Sequence, residues 1–182
     1  MSPTRMLAGY PSGSYTGSRT LQVVGSTGSP AAQDAEIVNQ TLKNLGFKTR
    51  FNLVDSSAMY AKYCGVPAEA IDVCPSVGWL ADFGDPQVVL DVTFNGKNIV
   101  STGNNNWGLV NNPEISQAMD AAELVVGTQA RAAAWAAIDR KLVAVAIPFD
   151  WDKQPNIESK NVAGVGDLWN SGAWDYAYTS LK

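Results

Sequence analysis

The sequence predicts an α/β fold, and three stretches carry that expectation. Residues 20–53 read as strand, helix and strand; residues 71–92 read as a strand that runs through a glycine into a helix; residues 113–145 hold two helices with apolar residues at helical spacing. The second stretch contains Val77-Gly78-Trp79-Leu80-Ala81-Asp82-Phe83-Gly84-Asp85-Pro86. A strand end that leads through a glycine and a carboxylate into a helix is a usual place for an α/β protein to meet a ligand.

The bulk of the chain narrows the choice of ligand. At 182 residues it fits one domain with an ordinary core, and 46% hydrophobic against 16% charged residues is a globular balance. The net charge of -4, with no cluster of Lys and Arg, argues against a nucleic-acid partner. There is no histidine, which excludes Ser-His-Asp, Cys-His and histidine-zinc chemistry; no catalytic residue, metal or cofactor is expected. Cys64 and Cys74 are the only cysteines, and Gly65 and Pro67 between them let the chain turn back. They read either as a disulfide, which would contribute roughly 2–3 kcal/mol by closing a short loop, or as two free buried thiols. A disulfide would place the protein in an oxidising compartment.

Taken in order, residues 1–18 are rich in Ser, Gly, Pro and Tyr and read as an irregular lead-in, with Arg5 to Ala8 as a frayed helical remnant. Thr20 to Val24 alternates as a strand. Ser29 is placed as an N-cap with Pro30 at the first helical position, and Ile37, Val38, Leu42 and Leu45 form the stripe of a helix that ends at Gly46. Phe47, Thr49, Phe51 and Leu53 alternate with polar residues as a strand, parallel to the first if the two share a sheet. Asp55 caps a short helix from Ser56 to Tyr63. Ile71 to Val77 is the third strand.

Asp85-Pro86 opens a helix with Val88, Val89 and Val92 on its buried side. The Asn-rich run from Asn95 to Asn112 reads as a loop too polar to pack as a core element. Ile115, Met119, Ala122 and Val126 then mark one helix, and Arg131, Trp135, Ile138, Leu142 and Val145 another, which Pro148 ends. Ile147 to Trp151 is extended, Asn161 to Val165 is a short strand, and Trp174, Tyr176 and Tyr178 alternate as the last one.

Asp82 and Asp85 stand three apart, but Asp85 before Pro86 is better used as a helix cap than as half of an acid/base pair. Asp82 has two readings of equal weight, an anion for a cationic ligand end or a carboxylate that only stabilises its own turn. Trp79 reads as core or rim packing before it reads as a ligand contact. Trp107, on the polar loop, is placed at an exposed or cleft-lining position.

Residues 78–86, the loop Asn106 to Pro113, Ile115-Ser-Gln-Ala-Met-Asp120 and Arg131-Ala-Ala-Ala-Trp-Ala-Ala-Ile-Asp139 resemble, in order and spacing, the C-terminal half of family 5 extracellular solute-binding proteins. These are the peptide, nickel and oligopeptide receptors of ABC importers. Ala8-Gly9-Tyr10-Pro11-Ser12-Gly13 resembles the segment that opens that half, and the paired cysteines resemble those of actinobacterial relatives.

The resemblance implies a periplasmic-binding-protein type II-like lobe, a mixed sheet flanked by helices, covering residues 1–182 as a single lobe. It implies a peptide ligand whose backbone pairs with Gly78 and Leu80 and whose α-amino group meets Asp82. Beside it, Trp79 is expected to shape the cleft wall, and Trp79 and Trp107 are available to stack on a ring if the ligand is a sugar. It also implies an extracytoplasmic location, an ABC permease as partner, and an N-terminal lobe, export signal and lipid-anchor cysteine outside this chain. The alternatives are a sugar or chelated metal as ligand, a carboxylate-based hydrolase, or a protein scaffold.

Overall fold

The computed structural model describes residues 13–142, 159–168, 173–175 and 179–182. They fall into two compact units, one drawn from Met1–Gly78 and Ile99–Trp107, the other from Trp79–Asn98 and Gly108–Lys182.

The first unit is built on a strand-helix-strand motif. Strands β1 (Thr20–Ser26) and β2 (Lys48–Val54) pair in parallel, with Thr20 opposite Lys48 and Ser26 opposite Val54. Helix α1 (Ala31–Asn44) joins them and packs on both. Its end is a Schellman turn: the Gly46 N–H donates to the Lys43 carbonyl and the Phe47 N–H to the Leu42 carbonyl. Gly46 takes the positive φ, +90°, that this turn needs.

The helix start differs from expectation. Pro30, not Ser29, holds the N-cap position, no side chain caps the helix, and the Gly28 carbonyl accepts the Ala32 N–H instead. The buried face is also displaced. Ala35 and Asn39 are buried and Val38 and Leu42 half-buried, whereas Ile37, one-third of a turn away, is 64% exposed.

Asp55 caps the next helical segment, accepting from the Ser57 N–H at 2.8 Å. The segment starts as α2 (Ser56–Ala58) and continues as a π-helical turn over Met59–Cys64. The widened turn closes with a bond from the Gly65 N–H to the Tyr60 carbonyl, and a Cβ on residue 65 would lie 2.1 Å from that oxygen, so glycine is required there. Val24, Met59 and Cys64 form the core, with Tyr60, Tyr63, Ile71, Cys74, Val77 and Trp107 packed around it. Cys64 and Cys74 are joined as a disulfide, their Cα atoms 6.1 Å apart.

The third strand is not formed. Val73 makes a single parallel bridge to Val23 on the free edge of β1, with bonds between its carbonyl and the Val24 N–H and between its N–H and the Gln22 carbonyl. Cys74 then turns into its disulfide and Pro75 has no N–H to extend a ladder. Side chains continue the pairing: the Asp72 carboxylate accepts the Gln22 N–H, and Ser76 Oγ accepts the Ser26 N–H and donates to the Ala31 carbonyl.

The second unit is helical with short antiparallel strands. Helices α3 (Gln87–Phe94), α4 (Pro113–Glu123) and α5 (Thr128–Leu142) pack around Ile115, Met119, Ala122, Trp135, Ile138 and Leu142, with Leu90 and Phe94 against them. Asn112 caps α4, its Oδ1 accepting the Glu114 N–H at 2.9 Å. Helix α4 stops at Glu123, so Val126 is 92% exposed and not part of the stripe. Strands β3 (Val162–Ala163) and β6 (Ser180–Leu181) pair antiparallel, as do β4 (Gly166–Leu168) and β5 (Ala173–Asp175). The readings made for residues 5–8, Val145, Ile147 to Trp151, Tyr176 and Tyr178 lie outside the described residues.

The Asn-rich stretch corrects a further expectation. Asn95, Asn104 and Asn106 are buried. Asn95 Nδ2 donates to Asp91 and its Oδ1 accepts the Lys97 N–H; Asn104 Nδ2 donates to the Asn106 carbonyl and its Oδ1 accepts the Val100 N–H. A side-chain amide carries a donor and an acceptor like a peptide unit, so it can be buried in a loop when both ends are matched.

Candidate functional site

Within the first unit, Tyr60 ties together two of the residues singled out in the sequence. Its hydroxyl accepts the Gly78 N–H at 3.1 Å, and its ring lies against Trp107 with centroids 5.8 Å apart and planes inclined at 52°. The π-helical turn sets this position by placing Tyr60 and Cys64 on the same packed face. Gly78 is exposed and nothing lies within 4 Å of where its Cβ would be. Trp107 is half-buried against the disulfide cluster, deeper than expected, and its Nε1 is buried without a hydrogen-bond partner among the described residues.

The second unit begins at Trp79, whose Nε1 donates to the Val88 carbonyl at 2.8 Å and so fastens the chain to the first turn of α3. The far end of the turn is held at Asp85. Its carboxylate accepts the Gln87 N–H at 2.9 Å and two bonds from Arg131 on α5, from Nε at 2.5 Å and from the guanidinium terminus at 3.0 Å. Arg131 also donates to Gln87 Oε1 and to the carbonyls of Ala122 and Glu123 at the end of α4. The Arg131 guanidinium holds the Asp85 carboxyl below the usual carboxylate range, against partial burial, with the Gln87 amide adding to it. A carboxylate so engaged is unsuited to half of an acid/base pair with Asp82, and this removes the main support for the hydrolase reading.

Leu80, Asp82, Phe83 and Gly84 are exposed between these anchors. The backbone N–H and C=O groups of residues 79–82 have no hydrogen-bond partner among the described residues. Asp82 makes no ion pair among them either. The structure therefore places Trp79, Leu80 and Asp82 on one anchored turn, and Gly78 and Trp107 on Tyr60. Sequence reasoning missed Tyr60 and Arg131 as the residues that hold these segments.

A chain in which a parallel strand pair and a short edge bridge are followed in sequence by this turn and a packed helix group has the fold of a periplasmic-binding-protein type II-like lobe, and solved structures share it. The clavulanic acid biosynthesis oligopeptide binding protein 2 superposes with a TM-score of 0.80 at 22% identity, over 90% of this chain and 30% of its own. A dipeptide binding protein from Pseudoalteromonas sp. SM9913, in complex with Met-Leu, gives 0.66 at 17%, over 90% and 32%. The substrate-binding domain of an oligopeptide ABC transporter from Bacillus anthracis gives 0.65 at 17%, over 90% and 31%. The chain thus spans about a third of the length of these three structures. No protein-family model matches the sequence, and no curated protein matches it.

Proposed function

We propose that this chain is the C-terminal lobe of a solute-binding protein of an ABC importer, of the family 5 type, and that its ligand is a peptide. The observation that carries the reading is the backbone of residues 79–82, which has no hydrogen-bond partner among the described residues, on a turn fixed at both ends. Open N–H and C=O groups on a segment anchored at both ends accept an extended peptide by main-chain pairing, which is indifferent to side chains. Leu80 offers both groups and Gly78 its carbonyl, since Tyr60 already takes the Gly78 N–H. Asp82 gives the ligand a polarity by attracting its α-ammonium. Trp79 is the aromatic contact on this turn. Structures with the same fold are named as oligopeptide and dipeptide binding proteins, which supports the same reading.

In this proposal a second lobe, outside this chain, closes over the ligand, and the protein works on the extracytoplasmic side with a permease. Calorimetry on the chain alone is accordingly expected to find no micromolar peptide affinity; micromolar binding would show that one lobe suffices. Weak binding is read by amide NMR of the labelled chain titrated with trialanine and its N-acetyl form. Free trialanine is expected to shift the resonances of residues 79–83 and to bind about fivefold tighter than the N-acetyl form, the size of a solvent-exposed charge pair. Asp82→Asn should abolish the difference. Equal binding of both forms to the unmodified chain refutes the role of Asp82.

A further inference from the structure

The backbone and the carboxylate leave two side chains of the turn without a task. Leu80 is 65% exposed and Phe83 55% exposed, and the exposed Asp82 stands between them in the chain. Single exposed apolar residues are ordinary on protein surfaces. Here two fall within four residues, on a segment that the Trp79–Val88 bond and the Asp85–Arg131 pair hold at either end. Their presentation is therefore built into the fold, and a ligand that covers them need not order a floppy loop first. The complement of a carboxylate that has no ion pair among the described residues, with an exposed apolar residue on either side of it in the chain, is a cation with an apolar group beside it.

Resting on the peptide reading above, we infer that Leu80 and Phe83 make this turn selective for peptides whose N-terminal residue is apolar. The ammonium of such a peptide faces Asp82, and its first side chain covers part of Leu80 and Phe83. A polar first side chain leaves those two in water.

The test is an amide NMR titration of the full chain with Leu-Ala-Ala, Ser-Ala-Ala and N-acetyl-Leu-Ala-Ala, reading residues 79–83. Leu-Ala-Ala is expected to bind about fivefold tighter than Ser-Ala-Ala, since covering part of one aliphatic side chain is worth that much. The ratio should fall to about one in the double variant Leu80→Ser with Phe83→Ser and persist in Phe83→Leu. Both positions are exposed, so the variants should fold, and unchanged dispersion of the α4 and α5 amides checks this. Equal binding of the two free peptides overturns the selectivity and leaves the peptide reading standing. No response to any peptide up to its solubility limit overturns both. Shifts at residues 80 and 83 that follow chain concentration rather than peptide mark a self-association patch, and that also overturns the inference.

Discussion

Reduction of the Cys64–Cys74 disulfide tests how the segment leading to Gly78 is held. Without the bond, residues 72–76 stay on the edge of β1 only through the three backbone bonds of Asp72 and Val73 with Gln22 and Val24, and through the side chains of Asp72 and Ser76. The bridged cysteines are 10 apart in sequence. In the chain-entropy model a loop of that size contributes about 2.7 kcal/mol, which for a chain of this length is roughly 5–11 °C in Tm. Thermal unfolding followed by circular dichroism, with and without reductant, should show that drop, and the Cys64→Ala with Cys74→Ala variant should match the reduced chain. Amide exchange should quicken at β1 and at residues 56–64, where the disulfide packs. Identical midpoints in the two conditions, or two thiols that react under native conditions without reductant, would refute the reasoning.

Other outcomes follow from the second unit. Trp135 is 1% exposed in the core of α4 and α5, so Trp135→Ala should cost about 3–5 kcal/mol in urea unfolding. Trp135→Phe should cost far less, because it also removes an indole N–H that is buried without a partner among the described residues. Asp85 has a folded-state pKa below its ordinary 3.8, so its contribution is fully present above that value and is lost as pH falls through the lowered one. Asp85→Asn should therefore flatten the acid limb of a stability-against-pH curve below about pH 4, and an unchanged limb would deny the carboxylate that role.

The strand-helix-strand unit was legible because period-two alternation, a glycine stop and a capping aspartate all act locally. Ile37 misled because hydrophobicity ranks isoleucine above alanine, whereas packing followed the phase set by Ala35, Val38, Asn39 and Leu42. The third strand failed at a proline and a disulfide that outweighed its β-branched residues. The burial of Asn95, Asn104 and Asn106 was hidden, since composition shows polar groups but not whether their partners are in reach. At the candidate site, the residues of the turn were readable in one stretch of sequence. Tyr60 and Arg131 were not, because they lie 18 and 46 positions from Gly78 and Asp85 and meet them only through tertiary packing.

The π-helical turn over Met59–Cys64 carries a further consequence. Tyr60 and Cys64 both depend on its phase, one to meet the Gly78 N–H and the other to meet Cys74. The turn is closed by a bond from the Gly65 N–H to the Tyr60 carbonyl, an i→i+5 span, so a one-residue deletion between Tyr60 and Cys64 loses that bond and shifts one of the two out of register with its partner. An insertion would do the same in the opposite sense. Sequence drift that changes length should therefore be tolerated on either side of this turn but not inside it, and a deletion scan across residues 56–70 should find its sharpest loss of folded protein at 60–64.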